Sequence, residues 1–353
     1  MKITWITNNI NICGGIERVV TGMANEFARR DIDVEIISRH TTETKPFFEI
    51  APAVAIKHLG VDWRVDTQTY GIREAGRLLK TLDSDFVIGC HAPTNVALAL
   101  NHRVFHGKVI VTQHRACDSL SAKRLRINAL TYRFADASLM LTESDKSIYE
   151  HMGLKNCVVM PNACFEPFPD NSHPANNKRI IAVGRTTPDK GFDLLIRAFA
   201  LFYKNHPDWS LRILGNGEQL EALKSLVREL NVSENVELPG FSDRVFDELK
   251  DADFFVSSSR SEGFMLALVE AMTAGLPVVA FDIPAIREIV GDDGCILIPG
   301  FEPTALAAGM ERMITPDCSE TYRKRSRRIA EAYNTQQIGD RWLNLFERLN
   351  GRK

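Results

Sequence analysis

Apolar positions in this chain recur with two alternating periods. Short β-rich runs, Ile3 to Thr7, Val34 to Ser38, Ala55 to Leu59, Phe86 to Cys90 and Lys108 to His114, read as strands. Between them the spacing changes to that of amphipathic helices. These are Ile16 to Arg30, with Val19, Val20, Met23, Ala24 and Phe27 on one face, then Gly71 to Leu82, a segment after Thr94, and one around Ala122 to Phe134, followed by ASLMLTES. Such alternation with short connections predicts an α/β fold. Its sheet is parallel and covered on both faces, and its ligands lie beyond the carboxyl ends of the strands.

From Val158 to Ile180 the pattern lapses into VVMPNACFEPFPDNSHPANNKR, with prolines from Pro161 to Pro174, which reads as an interdomain linker. Alternation then resumes with Arg179 to Gly184, a helix over Phe192 to Tyr203, Ser210 to Gly215, a helix from Gln219 to Leu230, Val236 to Gly240 and a short helix at Val245 to Leu249. A last helix, Gln336 to Leu349, carries Ile338, Trp342, Leu345, Phe346 and Leu349 on one face and is expected to lie against a domain surface. The expected division is 1–163, 164–334, and a helical segment 335–353 packing back toward the first domain. A length of 353 residues, more than one hydrophobic core serves, agrees with two domains.

Charge changes the picture little: 43 basic and 45 acidic residues leave the chain nearly neutral, so no global field recommends nucleic acid. The seven cysteines are odd in number, scattered and never in a C-x-x-C pair, which predicts reduced thiols. The chain opens directly into a strand without a signal peptide pattern, and no apolar run reaches the length of a membrane span, so a cytoplasmic location is expected.

The stretch from Phe254 to Asp282 holds the densest candidate chemistry. It reads as a buried strand, a glycine-containing turn, a buried helix and a second buried strand, yet Glu262 and Glu270 interrupt its apolar run. A helix beginning near Phe264 would aim the N–H groups of Gly263, Phe264 and Met265 at a ligand with the positive end of the helix dipole behind them, forming an anion site. Glu270 would lie about 12 Å deeper along that helix, so a ligand touching both carboxylates is long, anionic in the middle and hydroxylated at both ends. A nucleotide-sugar fits. The alternative is structural: Glu262 caps the helix and Glu270 pairs with a buried Arg or Lys.

Four segments together carry a resemblance. VGRTTPDKGFDLLIRAF, SRSEGFMLALVEAMTAGLPVVAFD, GGIERVV near the N-terminus and LGNGEQLEALKSLVRELNVSENVELPGF occur in order with suitable spacing, and with them the chain resembles glycosyltransferase family 4, retaining enzymes of the GT-B fold. The resemblance is weakest from about Ser38 to Lys108. It implies two Rossmann-like domains facing each other across a cleft. It also makes Arg185 and Lys190, after Gly184, the cations that hold the donor diphosphate, a task that suits a planar fork and a point charge. The first glutamate of the E-x7-E pattern, Glu262, would sit beside the transferred sugar, and Glu270 would bind the ribose hydroxyls. The amides of Gly263, Phe264 and Met265 would face sugar and β-phosphate, and the base would stack near Gly240, Phe241 and Ser242, unless Phe241 is ordinary core. Relatives often carry Gly or Pro where Met265 stands.

From the first domain, the resemblance implies that Gly15, with its neighbour Gly14, approaches the diphosphate and that His114 contacts the donor sugar; a turn before a helix would also explain the glycines. His91 is a weaker candidate, suited, together with Gly14, to acceptor binding.

Three other motifs are set aside. GNGEQL has Leu220 where a dinucleotide fingerprint needs its third glycine. The D-x-D sequences Asp83 to Asp85 and Asp251 to Asp253 precede strands and fall on the wrong sheet edge for a metal site, so no metal or other cofactor is expected. The basic cluster Arg323, Lys324, Arg325, Arg327 and Arg328 reads as a solvated helix face, whereas Lys123, Arg124, Arg126 and Arg133 are the better candidates for weak peripheral membrane contact.

The function expected from the resemblance is transfer of a hexose or N-acetylhexosamine from a nucleotide-sugar, UDP favoured over GDP, to a hydroxyl of a glycan or lipid-linked acceptor in surface polysaccharide synthesis. The alternatives are an epimerase or phosphorylase of the same fold, or a non-catalytic nucleotide-sugar-binding subunit.

Overall fold

A computed structural model of the chain describes residues 1–39, 45–60, 70–165 and 176–351. The chain divides into two compact units, Met1–Ala163 together with Asn334–Lys353, and Cys164–Tyr333. The linker prolines Pro167, Pro169 and Pro174 lie outside the described residues.

In chain order the first unit contains β1 (Lys2–Thr7), α1 (Gly15–Arg29), β2 (Asp33–Ser38), β3 (Ala55–His58), α2 (Tyr70–Leu79), β4 (Phe86–Gly89), α3 (Ala92–Leu100), β5 (Lys108–Gln113), α4 (Ala122–Tyr132), β6 (Ala137–Met140), α5 (Glu143–His151) and β7 (Cys157–Val159). Its strands form one parallel sheet in the order β3-β2-β1-β4-β5-β6-β7. The second unit contains β8 (Arg179–Val183), α6 (Phe192–Tyr203), β9 (Ser210–Leu214), α7 (Leu220–Glu229), β10 (Val236–Gly240), α8 (Val245–Lys250), β11 (Phe254–Ser257), α9 (Leu266–Thr273), β12 (Val278–Phe281), α10 (Pro284–Val290), β13 (Ile296–Ile298), α11 (Pro303–Met313) and α12 (Pro316–Glu331). Its parallel sheet has the order β10-β9-β8-β11-β12-β13. The order reverses between β1 and β4 in one sheet and between β8 and β11 in the other, which marks the ligand crevice of each.

The central strands are buried along their whole length, as both-face coverage requires: Phe86–Gly89, Phe254–Ser257 and Val278–Phe281 have no exposed residue. In the second unit Phe199, Phe202, Phe254 and Phe281 anchor the core under α6 and α11. In the first unit α13 (Thr335–Asn350) covers the sheet beside α1. Its five predicted apolar positions, Ile338, Trp342, Leu345, Phe346 and Leu349, are all buried. Asn334 starts it by accepting from Gln337 N at 2.8 Å, and Arg30 ties it to α1 by donating to Asp340 Oδ1 at 2.5 Å.

Several boundaries differ from the sequence reading. β7 occupies Cys157–Val159, so the presumed linker begins with a sheet strand rather than at Val158. ASLMLTES splits into β6 and the start of α5, whose N-cap Thr142 accepts from Asp145 N at 3.2 Å. α3 starts at Ala92, ahead of the expected Thr94. α10, α11 and α12 went unassigned, although each opens with a proline at its first turn, a start signal legible in Pro284, Pro303 and Pro316. On α12 the cluster read as solvated is partly interior. Arg323 is buried and donates from Nη1 to Gly275 O at 3.0 Å, satisfying a carbonyl just past the end of α9.

The D-x-D sequences lie at strand starts and are structural. Asp85 accepts from Lys2 N at 2.7 Å, and Asp253 accepts from Arg179 N at 3.0 Å, pinning the amino ends of β1 and β8.

Phe346 is buried with ring centroids 4.4 Å from Phe86, 5.7 Å from Phe27 and 5.6 Å from Trp342. Phe346→Ala should therefore destabilise the first unit by about 3–5 kcal/mol, read as a lower denaturant midpoint. An unchanged midpoint would show that α13 contributes nothing to that core.

Candidate functional site

The second unit gathers its candidate residues on two loops that leave adjacent strands at the switch point. β8 pairs with β11 through Ile180 opposite Phe254 and Ile181 opposite Phe255. The loops that follow, 184–191 and 258–265, therefore emerge side by side. Lys190 Nζ lies 2.6 Å from Glu262 Oε1, which also accepts from Ser259 Oγ at 2.7 Å. Only 15% of the Lys190 side chain and 8% of the Glu262 side chain is exposed, so the pair is held largely out of water. The Lys190 stem runs over Gly184. Arg185 is exposed and makes no ion pair among the described residues.

Crowded backbone contacts fix these loops. Gly191 has φ +63, and a Cβ there would stand 2.1 Å from Ser258 O, so only glycine lets the β8 loop cross the β11 loop at this point. On the other side Gly215, φ +139, is pressed against Gly184 O, and Thr186 N donates to Asn216 O at 3.1 Å. The glycines of GNGEQL thus support the cation loop rather than cradle a dinucleotide.

The helix behind Glu262 begins later than expected. α9 starts at Leu266 with Met265 as its N-cap, at φ −92 and ψ 87, so Gly263, Phe264 and Met265 precede the helix. The amides at the open helical end are those of Leu266 and Ala267. Glu262 consequently stands off the helix and does not cap it, while Glu270, buried, sits in the second turn, about 6 Å from the helix start. The early start was misread because Phe264 and Met265 are apolar and extend the helical pattern. Both are buried, and Met265 Sδ accepts from Ser257 Oγ at 3.2 Å. The Met265 side chain therefore faces the strand beneath it.

Gly240 closes β10 and its carbonyl accepts from Gly215 N at 2.8 Å. Phe241 is 47% exposed, which rules out the core reading. Ser242 Oγ accepts from Arg244 N at 3.2 Å.

In the first unit the candidates collect at the ends of β1, β4 and β5. Gly14 is the N-cap of α1 and Gly15 its first residue. His91 is the N-cap of α3, and its Nε2 lies 3.2 Å from Thr7 Oγ1 and 3.5 Å from Glu17 Oε1. Glu17 is a buried carboxylate that sequence reasoning passed over; the available signal was its place three residues after Gly14, where a glutamate reaches back over the helix start. His114 follows β5, half-buried, with Nε2 2.8 Å from Thr112 Oγ1. Burial, assisted by nearby His91, pushes its pKa down to about 3, so the ring is neutral and offers one donor and one acceptor nitrogen. Arg260 and Asp193 of the second unit were likewise not singled out.

Among the described residues no three His, Cys, Asp or Glu side chains converge as metal ligands, and no helix is long and apolar enough to cross a membrane. Lys123, Arg126 and Arg133 are exposed on or beside α4, and Arg124 is half-buried.

Residues 165–335 match the family model described as Glycosyl transferases group 1, and residues 13–164 match that described as Glycosyltransferase Family 4. An uncharacterized glycosyltransferase of Haemophilus influenzae is 27% identical over 98% of this chain and 99% of its own length. The amylovoran biosynthesis glycosyltransferase of Erwinia amylovora is 26% identical over 84% of this chain and 85% of its own length. The fold is similar to that of HepE from Anabaena, solved in complex with UDP-glucose, with a TM-score of 0.80 and 18% identity over 98% of this chain and 99% of that one.

The depressed pKa gives a direct check on His114. Its ring proton resonances should stay unshifted between about pH 5 and pH 8, where an ordinary histidine titrates. Folding linkage has a matching sign: the unfolded chain binds the proton first, so this residue lowers stability as pH falls through about 6.5 toward the folded value of about 3. A His114 resonance that titrates near neutrality would contradict its burial.

Proposed function

Because the chain belongs to the family-4 glycosyltransferases and has their two Rossmann-like parallel-sheet domains, the GT-B fold, we propose that it is a retaining enzyme. It moves a hexose or N-acetylhexosamine from a nucleotide-sugar to a hydroxyl of a glycan or lipid-linked acceptor in surface polysaccharide synthesis. The observation that carries this reading is the buried Lys190–Glu262 pair at the β8–β11 switch point. Without ligand the Glu262 carboxylate neutralises Lys190. A donor diphosphate takes over the ammonium, which frees Glu262 to accept hydrogen bonds from the sugar hydroxyls.

As the bond from C1 to the phosphate oxygen breaks, negative charge grows on the leaving diphosphate and positive character on the ring. Lys190, Arg185 and the amides of Leu266 and Ala267 stabilise the former. The phosphate itself accepts the acceptor proton, so neither Glu262 nor Glu270 acts as a nucleophile; Glu270 holds the ribose hydroxyls. His114, as a neutral ring, supplies one hydrogen bond to a sugar hydroxyl. The cations carry the charge work, and the reaction is read as needing no metal or other cofactor.

UDP is favoured over GDP, supported by the resemblance of GLPVVAFD to enzymes using UDP-sugars and by the UDP-glucose complex of the similarly folded HepE. The exposed Phe241 beside Gly240 and Ser242 is the stacking surface for the base. Localisation at the cytoplasmic face of the membrane is supported by Lys123, Arg126 and Arg133, with exposed Leu130 and Phe134 among them.

Incubation with UDP- and GDP-sugars tests the reaction: nucleotide release should rise when an acceptor is added and persist in a metal chelator. Donor isomerised without nucleotide release would instead indicate an epimerase, and binding without turnover a non-catalytic subunit.

Lys190→Ala and Glu262→Ala should each lower kcat/KM by about 100-fold or more while leaving the fold intact. Glu262→Gln should do the same yet bind free UDP several-fold more tightly, since the competing carboxylate is gone. Weaker UDP binding in Glu262→Gln would refute the exchange of partners at Lys190.

A further inference from the structure

We propose that Arg260 and Asp193 are positioning residues of the transfer reaction, holding the Lys190 loop and the Glu262 loop in one register. This deepens the donor-site reading above and rests on it. Arg260 lies two residues before Glu262, and Asp193 lies three residues after Lys190, in the first turn of α6. The guanidinium meets the Asp193 carboxylate with both arms, Nη1 to Oδ1 at 3.0 Å and Nη2 to Oδ2 at 2.9 Å. Nη1 also donates to Pro188 O at 2.7 Å, and Arg260 N donates to Asp189 O at 2.7 Å. Ser258 Oγ donates to Lys190 O at 2.9 Å. One arginine thus clasps the opposite loop on both sides of Lys190, at the Pro188 and Asp189 carbonyls before it and at Asp193 in the helix after it.

The geometry explains why arginine is needed. A planar fork satisfies two carboxylate oxygens and still reaches a carbonyl, whereas a lysine at 260 offers a single point charge. Lys190 sits on a short 3₁₀ turn, Pro188–Lys190, that closes with Gly191 in the left-handed region and lacks a long helix of its own to fix it. The clasp supplies that rigidity from outside. Both charges are more than a third exposed, 36% for Arg260 and 37% for Asp193, and an ion pair so exposed adds little to global stability. Its effect is expected in the placement of Lys190, where a displacement of about 1 Å can cost about 100-fold in rate.

The test compares wild type with Arg260→Ala, Asp193→Ala, the double variant, Arg260→Lys and Lys190→Ala. UDP binding is followed by calorimetry, steady-state transfer by nucleotide release, and thermal unfolding serves as a control. Arg260→Ala and Asp193→Ala should each weaken UDP binding about tenfold and lower kcat by tenfold or more, with melting temperature nearly unchanged. The double variant should be no worse than either single one, as expected of a coupled pair. Arg260→Lys should recover only part of kcat. Wild-type kcat and UDP affinity in Arg260→Ala, or fully additive losses in the double variant, overturn the proposal. So do losses that track a fall in melting temperature and vanish when activity is expressed per folded molecule. If Lys190→Ala binds UDP like wild type, the donor-site reading itself fails. Lost binding in Lys190→Ala with normal Arg260→Ala overturns the clasp alone.

Discussion

The parallel pairing of β8 with β11 is the constraint on which the second unit depends. These strands are distant in sequence but adjacent in the sheet, because the chain builds outward from β8 in one direction, through β9 and β10, and then returns to start again at β11. Parallel strands must be joined by crossovers, and where the order reverses the two crossovers lead away in opposite directions and leave a crevice at the strand ends. Lys190 and Glu262 occupy those two loops. Side chains alternate along a strand, so a shift of one residue in the β8–β11 register would send each packed side chain to the opposite face of the sheet and carry the loops apart with them. The burial of Ile180, Ile181, Phe254 and Phe255 sets that register, and the core thereby positions the charges.

Electrostatics then makes the pair sensitive to its occupant. A lysine and a glutamate largely withdrawn from water are tolerable together and costly apart, since removing one leaves the other unpaired in a poorly solvated place. In the proposed reaction an incoming diphosphate would replace one anion by another at Lys190. The same logic governs His114 differently. Burial, with His91 nearby, holds its pKa down at about 3, so near neutral pH it offers directional hydrogen bonding rather than a field.

Much of the fold was legible because strands and helices announce themselves by period. The alternation that predicted two parallel sheets reflects residues buried on both faces, and the stripe on α13 reflects a helix covering a sheet. Less legible were the elements at boundaries. β7 is only three residues long and half-buried, too short to show a period against a proline-rich background. The start of α9 was placed too early because apolar composition does not separate a buried loop from a buried helix; Met265 belongs to the core by packing and lies outside the helix by its backbone angles. Arg323 was read as solvated because its neighbours on α12 are charged, yet it reaches the carbonyl of Gly275, a contact set by how α12 packs on α9.

By itself the sequence determined the two-sheet α/β organisation, the loops after β8 and β11 as the places to search, and the residue types available there. Those follow from local periodicity and from the chemistry of single side chains, which travel with the chain. Only the tertiary structure decided that Glu262 pairs with Lys190, that GNGEQL is a support for the cation loop, and that Arg260 clasps Asp193 across the two loops. Each of these joins residues tens of positions apart through distances of about 3 Å, and no local pattern encodes such a distance until the strands between them have paired.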